Sequence, residues 1–360
     1  GQDVLAPSGG AQVGWRLGEH RLFAGYRMRN RLTETGGSDV LPLGLAPFGE
    51  PDPHPEQVLK FRNVNSGRLR QSAITLGYRG RIGNAVALNL GVQKAHYRAV
   101  QRDGISGAIT READDPWLYN ATLSVLASQH LSFYVGSERG LEDSGIAPET
   151  ATNRNAQLPA TRSTQYEGGV RWKFEGGQLV VNAFQITKPY FSFDAGGAYA
   201  QVGQVRHRGV EASLSGKFGK RLSLLAGVLA MQPRVSGPAR DAGLLGPRPT
   251  GTAALHARLD ANYTTDIFGG LTPTVTVEYT GKRAVTGGMF ASLGGRQLME
   301  GSHVTVDLGL RQQFKLGRIP ASVRAVMQNV FDHATWKVIA SNALQMDERR
   351  RFSLTLAADL

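Results

Sequence analysis

Alternation of apolar and polar residues with a period of two is the dominant pattern in this chain. It is clearest in GQVRHRGVEASLSGKFGKRLSLLAGVLAMQPR, residues 203–234, where two alternating runs flank one very short turn. In HVTVDLGLRQQF, Val304, Val306, Leu308 and Leu310 share one face, and Thr305, Asp307, Gly309 and Arg311 the other. RFSLTLAADL repeats the scheme, with Phe352, Leu354, Leu356, Ala358 and Leu360 against Ser353, Thr355, Ala357 and Asp359. Each run is bounded by Gly, Pro, Asn or Asp, the signature of strands rather than helices. About fifteen runs satisfy this rule. They cover 10–17, 20–30, 66–80, 83–98, 117–126, 129–139, 162–174, 177–189, 199–217, 221–234, 251–265, 271–284, 302–315, 319–331 and 350–360.

The connections alternate between two kinds. Short ones fall at 18–19, 81–82, 127–128, 175–176, 219–220, 266–270 and 317–318. Long ones, rich in Gly, Pro and charge, occupy 31–65, 99–116, 140–161, 190–198, 235–250, 285–301 and 332–349. One end of the sheet is therefore trimmed and the other elaborated, as in transmembrane β-barrels with short periplasmic turns and long extracellular loops. Hydrocarbon offers no hydrogen-bond partners, so a sheet crosses it only as a closed barrel with an apolar outer face. The stripe in 203–234 is then a lipid-facing surface, and Arg206, Arg208, Glu211, Ser213 and Ser215 are expected to line the wet interior. Tyr134, Tyr166, Trp172, Tyr263 and Tyr279 fit interfacial girdles. A soluble sandwich packing the same stripes into a core is the competing reading, and the loop alternation argues against it.

Composition narrows the picture only a little. The chain has 360 residues and no Cys, which removes disulfides and thiolate metal sites. Its formal net charge of +12 admits nucleic acid, an anionic membrane surface or acidic ligands. The basic residues are spread over strands and loops with no recognition fold, so nucleic acid is not expected as a partner. The longest nearly uncharged apolar run, 222–231, is far short of a membrane-spanning helix. There is no HExxH, GxSxG or P-loop sequence, and neither an enzyme nor a cofactor is expected.

Four stretches carry a family resemblance. GIAPETATNRNAQLPATRSTQYEGGVRWKF leads into Gln165, Tyr166 and Glu167, and GQVRHRGVEASLSGKF holds Arg208, Gly209, Val210 and Glu211. VRAVMQNVFDHATW holds Asn329, Val330, Phe331 and Asp332, and ERRRFSLTLAADL places Arg before an alternating end. Their order and spacing over 140–360 resemble the C-terminal part of the barrel of TonB-dependent outer-membrane receptors, of the siderophore-receptor type. Residues 1–139 fit by architecture.

The resemblance implies a 22-strand barrel preceded by a plug domain and a TonB box, neither of which has a counterpart here. The first and last strands both run toward the periplasm, so an odd number is present, and about seven strands and the plug are expected upstream. The chain ends in Leu360, where the family usually ends in an aromatic residue.

The function implied is binding and import of a ferric siderophore across the outer membrane of a Gram-negative cell. The TonB-ExbB-ExbD complex would drive it through the plug, and the receptor is expected to be a monomer. Another ligand of the same family, such as haem, cobalamin or a metal chelate, and a passive porin-like channel are the alternatives. Tyr190, Phe191, Phe193 and Tyr199 form either part of an aromatic girdle or a vestibule for a planar iron chelate. Arg102, Arg111, Arg154, Arg162, Arg240, Arg248, Lys282, Arg283, Arg296 and Lys337 suit an anionic chelate and equally the phosphates of lipopolysaccharide and outer-membrane lipid. Trp336 joins Arg154, Arg162, Arg283, Arg296 and the four aromatics as a ligand-binding candidate. Asp52, His54 and Glu56, at alternate positions in a proline-rich loop, are weak metal-ligand candidates beside the simpler reading of a stiff exposed loop.

Overall fold

The computed structural model describes residues 2–38, 61–340 and 343–358. Its first strands are β1 (Gln2–Leu5), β2 (Ser8–Leu17), β3 (His20–Ser38), β4 (Phe61–Ile82), β5 (Val86–Arg102), β6 (Ile109–Asp114) and β7 (Trp117–Leu126). The middle third carries β8 (Leu131–Glu142), β9 (Thr161–Phe174), β10 (Gly177–Phe193), β11 (Tyr199–Phe218), β12 (Leu222–Ser236), a short helix α1 (Pro238–Asp241), and β13 (Leu255–Tyr263). The remainder is β14 (Thr272–Thr280), β15 (Arg283–Ala284), β16 (Met299–Glu300), β17 (His303–Leu316), β18 (Ile319–Gln328), β19 (Trp336–Ala340), β20 (Ala343–Met346) and β21 (Arg351–Ala358).

Seventeen strands form one antiparallel sheet, while β15–β16 and β19–β20 are small hairpins in the long loops. Two of the long strands are interrupted. β1 and β2 pair with successive stretches of β3 around Ala6 and Pro7, and β6 and β7 pair with successive stretches of β5 around Asp115 and Pro116. Proline has no N–H to give the ladder, so each strand breaks there and resumes. Counted once each, the interrupted strands leave fifteen, the number the alternation predicts. Among the described residues no ladder joins β2 to β21, and both are exposed along their whole length.

The periodicity holds in three dimensions. Ile74 and Leu76 of β4, Leu90 and Val92 of β5, Phe133 and Val135 of β8, and Leu308 and Leu310 of β17 stay open on one face. On β21 the outward Phe352, Leu354 and Leu356 are 69%, 75% and 66% exposed. So large an apolar surface covers no core and is fitted to lipid. The opposite face is polar: on β13 and β14, Arg258 bonds Asp260 at 2.8 Å and Glu278 at 3.2 Å, and Thr276 donates to Asp260 at 2.7 Å. No helix is long and apolar enough to cross a membrane among the described residues.

Glycines shape the inner wall where rings lie across it. The Phe23 ring occupies the space above Gly77, and Phe184 lies over Gly209, where an added Cβ would come within 2.9 Å of the ring and 2.6 Å of the Ala230 carbonyl.

Several expectations need correction. The ladder between β10 and β11 runs unshifted past Gly209, with its one irregularity at Tyr190/Phe191. Arg206 and Arg208 therefore share the outer face with Val210, and only Glu211, Ser213 and Ser215 face inward. Tyr134 pairs with Gly169 on the inner face, opposite Phe133 and Val135, so it is no part of an outer girdle. The strand expected over 319–331 stops at Gln328, because Asn329 takes a left-handed backbone with φ of 47°. Those expected over 251–265 and 271–284 contract to β13 and β14.

Candidate functional site

Among the described residues, the long connections fold onto the inner face of the sheet and onto one another. Above the break at Asp115 and Pro116, β6 stays with β5 while the tops of β8 and β9 carry the 143–160 loop across them. Leu141 and Ala160 pack against Leu69, Tyr97 and Ala99. Arg162, a ligand-binding candidate, makes a two-pronged ion pair with Asp114 of β6.

Polar side chains pin this loop. Tyr97, 1% exposed, donates to Asp143 at 2.7 Å, and Arg31 pairs with the same carboxylate. Gln157 donates to the carbonyls of Gly145 at 2.9 Å and Leu158 at 3.2 Å, and its N–H donates to Thr110 at 2.8 Å. Asn155, at φ of 57°, donates to Asp103 at 2.7 Å. Asp103 also accepts the backbone N–H groups of Ser106 and Ile105 at 2.6 and 3.0 Å. These donors, the Ser106 N–H first and Asn155 next, hold the Asp103 carboxyl well below the usual carboxylate range.

The aromatic candidates fall in two adjoining clusters. Phe191 and Phe193 lie 6.5 and 5.3 Å from Tyr199, ring to ring, and all three pack on Ala147, Ala151 and Leu158 of the same loop. Asn153 brackets the Tyr199 backbone, accepting its N–H at 2.8 Å and donating to its carbonyl at 3.0 Å. Arg154, one position on in the same loop, is exposed. Tyr190 instead packs against Val202, Val205, Val235 and Leu245. There the segment after α1 meets the next loop, with Gly246 donating to Gly287 at 2.9 Å and Gln297 donating to Thr286 and Arg248 at 3.0 and 2.8 Å.

Farther round, Arg283 pairs with Glu300 and donates to the Trp336 carbonyl at 3.1 Å, so these two candidates meet. Arg296 is turned back onto the Leu293 carbonyl at 2.9 Å. The candidates thus spread round a crown of interlocked loops, gathered into the Phe191–Phe193–Tyr199 and Arg283–Trp336 groups. Asp52, His54 and Glu56 lie outside the described residues, among which no cluster of His, Asp or Glu could hold a metal.

The motif residues serve the framework. Gln165 donates to Glu167 at 3.1 Å on the inner face, while Tyr166 points outward. Arg208 bonds Gln185, and Gly209 makes room for Phe184. Asn329 is a clamp: it donates to the carbonyls of His333 and Glu348 at 2.9 and 3.1 Å, accepts the His333 N–H at 3.0 Å, and gives its own N–H to Asp307 at 2.8 Å. Asp332 ties Arg349 and the Arg350 N–H, both just before β21, and the Arg349 contact keeps its carboxyl ionised below the usual range. Val330 donates to Val306 at 2.8 Å, and Phe331 is exposed. Sequence reasoning missed the Tyr97, Asp103, Asp143, Asn155 and Gln157 network, whose signal is only the isolated Asn and Asp in glycine-bearing turns.

The chain matches the family described as TonB dependent receptor-like, beta-barrel, over residues 3–330. It belongs to the TonB-dependent receptor β-barrel family. The match reaches through the first 139 residues, where the sequence showed only architecture. No curated protein matches the chain significantly by sequence. Among solved structures, the ferric preacinetobactin receptor BauA of Acinetobacter baumannii has a TM-score of 0.81 at 21% identity, covering 100% of this chain and 55% of its own. The ferric-catecholate import receptor Fiu of E. coli K12 gives 0.77 at 17% identity, covering 99% and 54%. The ferric yersiniabactin uptake receptor FyuA of Yersinia pestis gives 0.74 at 16%, covering 100% and 55%. At these identities the likeness establishes the fold. The chain spans about half the length of the structures it matches. As a TonB-dependent receptor barrel it is an outer-membrane protein of a transport-receptor family, with its apolar face toward lipid.

Proposed function

We propose that this chain is the C-terminal portion of the barrel of a receptor that binds a ferric siderophore outside the cell and imports it with energy delivered by TonB. The observation that carries the reading is full-chain similarity to three iron-chelate receptors, combined with a loop crown that gathers the Phe191, Phe193 and Tyr199 rings, with exposed Arg154 in the loop that packs on them. Aromatic faces hold planar chelating groups, and guanidinium groups hold the anionic oxygens of a ferric complex.

In this reading the first barrel strands and the plug precede the chain, and TonB, with ExbB and ExbD, acts on the plug. The receptor works as a monomer, and the reaction makes and breaks no bond. The test is equilibrium binding to the intact receptor, read by tryptophan fluorescence quenching, across ferric catecholates, ferric hydroxamates, ferric citrate, haem and cobalamin. Saturable binding of one ferric chelate supports the proposal, and binding of haem or cobalamin alone assigns the receptor to another ligand class.

A further inference from the structure

We propose that the outer face of β9–β12 carries a binding platform for a phosphorylated lipid of the outer leaflet, built by Arg206, Arg208 and Arg234. The register brings these residues together. Thr164 pairs with Thr187, Thr187 with Arg206, and Arg206 with Arg234, in one row across four strands. The row beneath runs Tyr166, Gln185, Arg208, Gln232. Neighbouring strands lie about 4.8 Å apart, so the three guanidinium groups fall within reach of a single phosphorylated headgroup. All three arginines and Gln232 are exposed.

The electrostatics are unfinished without an anion. Arg206 and Arg234 stand directly opposite each other, a like-charge cross-strand pair that costs stability. Some arginines meet carboxylates, as Arg98 meets Asp115, Arg258 meets Asp260 and Arg349 meets Asp332, and on the inner wall Arg311 faces Arg324 as Arg206 faces Arg234 outside. Here Arg208 reaches only the neutral Gln185, and Arg206 and Arg234 have no partner among the described residues. Arginine's planar fork matches phosphate oxygens, and several forks converging on one face suit a phosphomonoester.

Position selects the lipid source. Below the platform the same face is apolar through Val210, Ala212 and Leu214 of β11 and Val228 and Ala226 of β12. It ends at Phe218, Phe174 and Trp172 beside the short turns, whose rings lie 5.6 to 5.8 Å apart. Arg208 is ten positions from Phe218 along β11, which at the usual rise and tilt is about 25 Å of height, the thickness of an outer-membrane apolar band. The arginines therefore stand at headgroup level, Tyr166 stands in the same row as an interfacial aromatic, and acyl chains attached to a bound phosphate would lie along the apolar stripe. A siderophore entering the barrel would not meet this face.

The test uses the purified intact receptor and bisphosphorylated lipid A, with binding read as the rise in thermal midpoint. The triple variant Arg206→Gln, Arg208→Gln, Arg234→Gln should bind lipid A at least about tenfold more weakly, since charge-assisted hydrogen bonds of this kind each carry about a tenfold factor or more. A charge-matched control, Lys217→Gln, Lys220→Gln, Arg318→Gln at the short-turn rim, should bind as the unaltered receptor does. β-Sheet circular dichroism without lipid checks that both fold. Equal binding by the triple variant overturns the proposal, as does equal binding of fully dephosphorylated lipid A, which would be apolar adsorption alone. Inorganic phosphate binding as tightly as lipid A would also overturn it, making the platform a free-anion site.

Discussion

Replacing Asn329 with Ala should open the last long loop and loosen β21. The side chain makes three hydrogen bonds that bridge both ends of the 333–348 segment, and the residue is 7% exposed. At about 1 kcal/mol net for each bond, their loss costs about 3 kcal/mol. The backbone at φ of 47° adds about 1 kcal/mol, because Ala tolerates the left-handed region less well than Asn. A total near 4 kcal/mol makes local opening about 10³ times more frequent. Hydrogen exchange on the intact receptor reads it directly. The amides of Asn329, Val330 and Asp347, bonded to Asp307, Val306 and Thr335, should lose protection by that order, while those of β8–β12 keep theirs. Asn329→Gly should recover only the backbone part, about fivefold. A loss of protection below tenfold in N329A, or full recovery in N329G, would refute the clamp.

Three further outcomes are expected. Gly209→Ala should lower the thermal midpoint by the equivalent of about 1–3 kcal/mol, since the new methyl meets the Ala230 carbonyl and the Phe184 ring, and Phe184→Leu in that background should restore part of the loss. The Asp103 pKa is depressed from an ordinary 3.8, so its stabilising contribution is complete above that value and is lost only as pH falls through the lower folded value; proteolysis of the 143–160 loop should stay slow at pH 4 and accelerate in stronger acid, and Asp103→Ala should be nicked even at pH 7. Tyr199→Ala, which removes the ring joining Phe191 and Phe193, should weaken binding of the ferric ligand by about tenfold or more, read by fluorescence titration.

The strands were legible because lipid imposes a rule on every second residue. Leu308 and Leu310 must face out whatever their neighbours do, so all fifteen strands stood in the sequence; of the short turns, the one expected at 81–82 falls instead at 83–85, because β4 continues through Ile82. Strand ends were less legible: Asn329 stops β18 through a left-handed backbone, which composition does not announce. Proline breaks at Pro7 and Pro116 looked like loop residues because pairing on both sides depends on β3 and β5, far along the chain. Arg206 and Arg208 were misplaced because charge beside an apolar stripe suggests the wet interior, when the strand simply extends past the apolar stripe and keeps its parity. The site was least legible. Tyr97, Asp143 and Gln157 come from separate strands and loops, and nothing local tells that they converge.

The most direct test of the import reading is uptake of a radiolabelled ferric siderophore by cells carrying the intact receptor, compared with cells lacking tonB. The account predicts saturable accumulation in the first and surface binding without accumulation in the second. Equal accumulation in both, unsaturated as ligand rises, would contradict it and identify a passive pore.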